Sequence, residues 1–236
     1  MKNYFILILV VFLGSSLKLS AQEEVVIKNP VDSLYREDQI YINLSYSMLQ
    51  NSPSGYKSKG YFSNLGFGVL RDFPLNKRRN IAVAPGIGYT FGKLNSNLLF
   101  VDEAIIQSNN LPDQNVLVIN RGSYDKNKLT YHSIDVPLEL RWRTSVPETH
   151  KFFRVYAGVK FSYIFYNKVN FKGDDFSYKL SNAEAINNFQ TSVYLSVGYN
   201  TWNIYSSYGI TPLIESKDAS NIKMNAFNLG LVFYIL

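Results

Sequence analysis

The stretch that most constrains the fold is residues 129–143, Leu-Thr-Tyr-His-Ser-Ile-Asp-Val-Pro-Leu-Glu-Leu-Arg-Trp-Arg. Read at a period of two, it separates into two faces. Thr130, His132, Ile134, Val136, Leu138, Leu140 and Trp142 share one. Tyr131, Ser133, Asp135, Pro137, Glu139, Arg141 and Arg143 share the other. Successive side chains of a strand point to opposite sides, so one side is nearly all apolar and the other carries four charges. A strand in a soluble sandwich needs only about five or six residues. Fifteen residues with one apolar and one charged face fit the wall of a transmembrane barrel.

The chain opens with Lys2, an apolar run over 5–13, Gly14-Ser15-Ser16 and Leu19-Ser20-Ala21-Gln22. This order predicts a secretory signal peptide over 1–21, cut after Ala21. The rival, a membrane anchor, fails on length, because the apolar run is too short to cross roughly 30 Å of hydrocarbon. Removing Lys2 and Lys18 lowers the formal charge from +6 to +4. The remaining cations are scattered, which gives nucleic-acid binding little support. Cysteine is absent, and with it disulfide frameworks, thiolate nucleophiles and Cys-based zinc sites. Eighteen Tyr and sixteen Phe suit strands and the aromatic girdles of a barrel.

Residues 22–38 are polar, contain Pro30 and lack periodicity, as expected of a periplasmic lead-in. Alternation begins at Ile40, so the barrel domain is expected over 39–236. Eight strands follow, at about 40–48, 61–71, 81–92, 129–143, 153–165, 189–199, 202–212 and the C-terminus. In the third, Ile81, Val83, Ile87, Tyr89 and Phe91 oppose Ala82, Ala84, Gly86, Gly88, Thr90 and Gly92, the small residues a narrow lumen requires. The last strand is apolar on both faces, which leaves its lumen side open. Connections after the odd strands include the two longest, 93–128 and 167–188, and those after even strands are short. The expected fold is all-β, an antiparallel up-and-down transmembrane barrel with short periplasmic turns, long external loops and both termini in the periplasm.

Asp135, Glu139 and Arg141 should face the lumen from the fourth strand, Arg154 and Lys160 from the fifth. They could form a charged channel or proton path. An eight-stranded interior is just wide enough for its own side chains, so a plug of ion pairs is the expectation. Of the two histidines, His132 adjoins Ser133, and neighbours on an unbroken strand point apart, so no nucleophile–base pair can form there. His150, near Glu148 in a turn, reads as a solvated pair. No phosphate-cradling glycine loop or His–carboxylate spacing is present, so neither catalysis nor a cofactor is expected. Lys77-Arg78-Arg79 and Arg141-Trp142-Arg143 fall at expected periplasmic ends. They suit interfacial anchoring, with the cations at headgroup phosphates. A sharper reading makes Lys77, Arg78, Arg79 and Arg143 a docking surface for a periplasmic partner.

Several stretches resemble the PorT (SprT) family of Bacteroidota outer-membrane proteins. They are Val31-Asp32-Ser33-Leu34-Tyr35-Arg36-Glu37-Asp38-Gln39, Arg71-Asp72 with Asn76-Lys77-Arg78-Arg79-Asn80-Ile81-Ala82, Pro137-Leu138-Glu139-Leu140-Arg141-Trp142-Arg143-Thr144, and Gly198-Tyr199-Asn200-Thr201-Trp202-Asn203. The resemblance implies an accessory or assembly component of type IX secretion, supporting cargo export and gliding motility. It implies other secretion-system proteins as partners beside outer-membrane lipids, and it carries over no catalytic residue. A monomeric barrel is expected. The alternative is a structural or adhesive barrel whose long external loops bind extracellular ligands.

Overall fold

The computed structural model describes residues 38–58, 64–119, 124–144, 153–216 and 222–235. The expected signal peptide, all of the lead-in except Asp38, and His150 lie outside the described residues. Eight strands form the wall: β1 (Asp38–Gln50), β2 (Asn64–Arg71), β3 (Ile81–Asn95), β4 (Tyr124–Arg143), β5 (Phe153–Gly173), β6 (Phe189–Tyr199), β7 (Trp202–Gly209) and β8 (Lys223–Ile235). Each pairs antiparallel with the next, and β8 returns to β1 in a ladder from Ile40↔Ile235 to Gln50↔Asn225. Closure leaves the wall no unpaired edge, the condition for strands to cross a bilayer. Among the described residues the tightest connections lie at the end where β1 starts and β8 ends, here called the terminal rim. The long ones lie at the opposite, loop end.

The two faces of β4 are as the alternation requires. Ile134, Val136, Leu138, Leu140 and Trp142 are exposed on the outside, while Ser133, Asp135, Glu139, Arg141 and Arg143 are buried inside. In β8, Val232 and Tyr234 are buried and Leu229, Leu231 and Ile235 are exposed, which settles its lumen side. Pro85 and Pro137 sit in neighbouring strands, and the β3–β4 ladder lapses between Pro85↔Leu138 and Gly88↔Asp135. Pro137 has no N–H to donate across that gap.

One irregularity reshapes β5. Ile164 pairs with Ser133 and Tyr166 with His132, so Phe165 is an extra residue, a β-bulge. The bulge reverses the parity of the strand. Inward positions are even up to Ile164, then Asn167, Val169 and Phe171 are buried while Lys168, Asn170 and Lys172 alternate with them. The polar loop expected over 167–188 is therefore corrected. β5 runs on to Gly173, and Ser177–Ser181 folds back to pair with it. The parity break hides the alternation from a fixed period of two.

Within 93–128, Leu98–Phe100 and Val116–Val118 pair as a hairpin. A short helix, Glu103–Asn109, joins them, capped by Asp102 accepting from the Ile105 amide at 2.9 Å. Leu98, Phe100 and Val116 pack with Leu129, Val169 and Met224 in one buried cluster at the loop end. That end of the lumen is filled by apolar side chains.

Leu138 is 47% exposed on the outer wall, four residues from Trp142 at the terminal rim and six from His132. Leu138→Arg should cost about 2–4 kcal/mol in a bilayer, the penalty for a cation near the membrane midplane. Urea unfolding of bilayer-inserted protein measures it, and wild-type stability would show that this face does not meet lipid.

Candidate functional site

The terminal half of the lumen is organised by Asp72, just beyond β2 and fully buried. One carboxylate oxygen accepts from Arg141 Nη1 and the other accepts from Arg143 Nη1 at 2.7 Å. Arg141 Nε donates to Glu139 Oε2 at 2.7 Å, and Glu139 Oε1 accepts from the Tyr194 and Tyr234 hydroxyls at 3.0 and 3.1 Å. The Arg141 guanidinium also lies 4.7 Å from the Tyr156 ring centroid. Glu139, Arg141 and Arg143 fall on one face of β4, stacked roughly 7 Å apart by the strand repeat. Buried charges survive only when paired and hydrogen-bonded, and each charged group of this network has such a partner.

Nearer the middle, Asp135 accepts from Thr90 Oγ1 at 2.5 Å and from Ser133 Oγ at 3.0 Å, and lies 3.8 Å from Lys160 Nζ. The five lumen residues expected from sequence thus face inward but form two groups. Glu139 and Arg141 join the Asp72 network, with Arg154 buried nearby, its guanidinium 6.0 Å from the Tyr234 ring centroid. Asp135 and Lys160 pair apart from them. Tyrosines fill the remaining width. A Cβ built on Gly92 would collide with the Tyr131 ring, and one on Gly88 with the Tyr41 hydroxyl. These glycines are small because a tyrosine crosses above each.

A polar belt crosses the lumen above this level. Tyr131 Oη donates to Asn64 Oδ1 (2.7 Å), Asn64 Nδ2 to Asn228 Oδ1 (2.9 Å), and Asn228 Nδ2 to Ser207 Oγ (3.0 Å). Among the described residues, cavities of about 30 and 60 Å³ both touch Asn43, Thr90, Lys160 and Tyr205. Each has room for a few waters at most.

Sequence reasoning missed Asp72, because it ended the second strand at residue 71. The signal was present: continuing the inward parity of β2 through Asn64, Gly66, Gly68 and Leu70 reaches Asp72. The proposed docking cations divide. Lys77 and Arg78 are exposed. Arg79 is half-buried, with φ of 55°, and its carbonyl accepts from Arg143 Nε at 3.1 Å. Arg143 is corrected from a rim cation to a buried partner of Asp72. Parity with Arg141 turns it inward, where it meets the Asp72 carboxylate. For the same reason neither arginine of Arg-Trp-Arg reaches headgroup phosphates, whereas Trp142 points outward.

His132 and Ser133 do face opposite ways. Ser133 bonds Asp135 inside, and His132 Nδ1 lies 2.5 Å from the Tyr89 hydroxyl outside. His132 belongs to an aromatic row with Phe91, Phe165 and Tyr166, at ring distances of 5.2–6.2 Å. A second aromatic group marks the terminal rim, where Trp202 packs on Phe233 and Phe153 on Tyr199.

A closed ring of eight strands, a charged and tyrosine-filled lumen and two aromatic girdles define a membrane-spanning β-barrel. A family model described as outer membrane protein beta-barrel domain matches residues 20–215. The chain belongs to that family, and its place is the outer membrane. No curated protein matches it. Among solved structures it is similar to Ail, the attachment invasion locus protein of Yersinia pestis, at 14% identity and a TM-score of 0.33 over 84% of this chain and 97% of that one. It is also similar to the N-terminal β-barrel domain of Pseudomonas aeruginosa OprF (10% identity, TM-score 0.29, 85% and 100% covered). A third is a major outer membrane protein from Thermus thermophilus (8%, TM-score 0.35, 84% and 100%).

Asp72→Ala should leave two buried guanidiniums without their shared acceptor, at a cost of about 3–5 kcal/mol. The neighbouring Arg71–Asp38 pair is solvent-exposed at 3.6 Å, so Arg71→Gln should stay within about 1 kcal/mol. Equilibrium unfolding of the two variants in one membrane mimetic measures the contrast, and equal small losses would remove Asp72 from its central role.

Proposed function

We propose that this protein is a monomeric, non-conducting outer-membrane barrel that serves type IX protein export by contact rather than by transport or catalysis. The observation that supports this reading is the filled lumen, with an ion-pair network at one end and an apolar cluster at the other. A barrel without a path through it acts through its rims. The resemblance to PorT-type proteins points to the export machinery as the partner. In this reading the termini and the turn over 76–80 lie in the periplasm, and that turn carries the contact. Lys77 and Arg78 are exposed there, on a loop fixed by Arg143 donating to the Arg79 and Asn80 carbonyls. Clustered cations on a rigid turn suit an acidic partner, with attraction that weakens as salt rises.

The adhesive alternative has its own support. The loop end is folded rather than loose, with a hairpin, a capped helix and a packed interior, so it could present a preformed surface to the outside.

One set of strains decides between them. Lys77→Gln with Arg78→Gln should abolish or sharply reduce cargo in the medium while barrel abundance in outer-membrane fractions stays unchanged. Exposed turn charges contribute within about 1 kcal/mol to stability, so folding should persist. An epitope tag in the 76–80 turn should be reached only after the outer membrane is opened, and one at the helix Glu103–Asn109 in intact cells. Normal export in the double variant, with attachment lost when the loop-end hairpin is replaced, would favour the adhesive barrel.

A further inference from the structure

Above the aromatic row of Phe91, His132 and Tyr166, the outer face of the wall changes character. The next cross-strand row is Lys93, Thr130, Lys168 and Ser181. Beyond it come Asn95, Lys128, Asn170 and Lys179, then Lys126, Lys172 and Ser177. Six lysines thus lie on one continuous, outward face of β3, β4, β5 and Ser177–Ser181. The inward neighbours Asn127, Leu129, Val169 and Phe171 are buried, so the sheet holds the lysine stems on the outside. Same-face neighbours in such a sheet are roughly 5 Å apart across strands and 7 Å along them, so the six occupy an area about 15 Å on a side.

The charges are poorly balanced. Among the described ion pairs only Lys172 has a carboxylate, Asp125 at 2.8 Å. Asp174 and Asp175 stand in the following turn, at the far tip of the hairpin. Lys126 is directly opposite Lys172, a like-charge placement that opposes pairing. Burial, followed by the charges of Lys93 and Lys126, lowers the pKa of Lys128 from its ordinary value. A face this crowded with cations calls for an anionic surface beside it. Its first row begins two residues past the aromatic row, about 7 Å farther along the strands, where lipid headgroups meet a barrel. Lysine stems lying on the wall with their ammonium groups raised suit that level.

We propose that this lysine face binds the phosphate groups of lipid A, the phosphorylated glycolipid of the outer leaflet. The lateral, lipid-side aim of the face favours a membrane lipid over a soluble polyanion approaching from above. The inference rests on the orientation given under Proposed function, in which the loop end is external. The binding test in micelles is independent of that orientation, whereas the epitope tags report it separately.

The test uses the full-length mature barrel in detergent micelles, with bis-phosphorylated lipid A as probe. Dephosphorylated lipid A, phosphatidylglycerol, heparin and inorganic phosphate form the comparison arms. Each lysine near an anionic headgroup strengthens binding about fivefold. Replacing Lys93, Lys126, Lys128, Lys168 and Lys179 by Gln should weaken lipid A binding at least tenfold, and replacing the same five by Arg should preserve it. Binding should fall with added salt, and removal of the lipid phosphates should weaken it as much as the Gln variant does. If the Gln variant does not fold, the phosphate and salt dependence of the wild type decides. Equal binding of dephosphorylated lipid A would overturn the proposal, as would equal binding by the Gln variant. Preference for phosphatidylglycerol, heparin or inorganic phosphate over lipid A would overturn it in favour of that ligand.

Discussion

A carboxylate sealed away from water must find its positive partners within the protein, and in this barrel Asp72 finds two. Its pairing with Arg141 and Arg143 ties the end of β2 to β4. Glu139 then extends the chain of contacts to Tyr194 on β6 and Tyr234 on β8. Four alternate strands are thus braced across the lumen by one connected network. Buried ion pairs are weak evidence of net stability, since desolvation offsets most of their attraction. Their value here lies in register. A slip of β4 by one residue would turn Glu139, Arg141 and Arg143 toward lipid and Leu138 and Leu140 toward the charges.

The rest of the interior follows from the same shortage of space and water. Tyrosines span it, glycines yield to them, and the asparagine belt satisfies its own amides from strand to strand. At the loop end polar groups give way to an apolar cluster, built from the inward side of extensions that continue β4 and β5 past the aromatic row. The outward side of those extensions is the lysine face. One pair of long strands therefore supplies wall, cap and charged shoulder, with the bulge at Phe165 setting which residues of β5 fall on each.

Much of this was legible in the sequence, and the failures have physical causes. Strict alternation over 129–143 gave both faces of β4, including all five expected lumen residues in concert with β5. Asp72 was missed because the chain turns nearby at Pro74 and 76–80, although its parity with Leu70 already pointed inward. Arg143 was misplaced because a basic pair flanking a tryptophan looks interfacial until a buried carboxylate is known to lie opposite it. The bulge erased the period beyond Tyr166. Aromatic content suggested girdles, and the structure places several tyrosines inside as well. Pairings such as Asn64 with Asn228 depend on closure of the ring and have no local signature.

In our proposal the lumen conducts nothing, its two ends being occupied by an ion-pair network and an apolar cluster, and the protein works at its surfaces. Conductance of the purified barrel in a planar lipid bilayer tests this most directly. A closed lumen predicts no resolvable current steps from the inserted wild-type protein across moderate voltages and salt concentrations. A steady ohmic current that scales with salt and persists in every insertion would show a continuous aqueous path, and would contradict it.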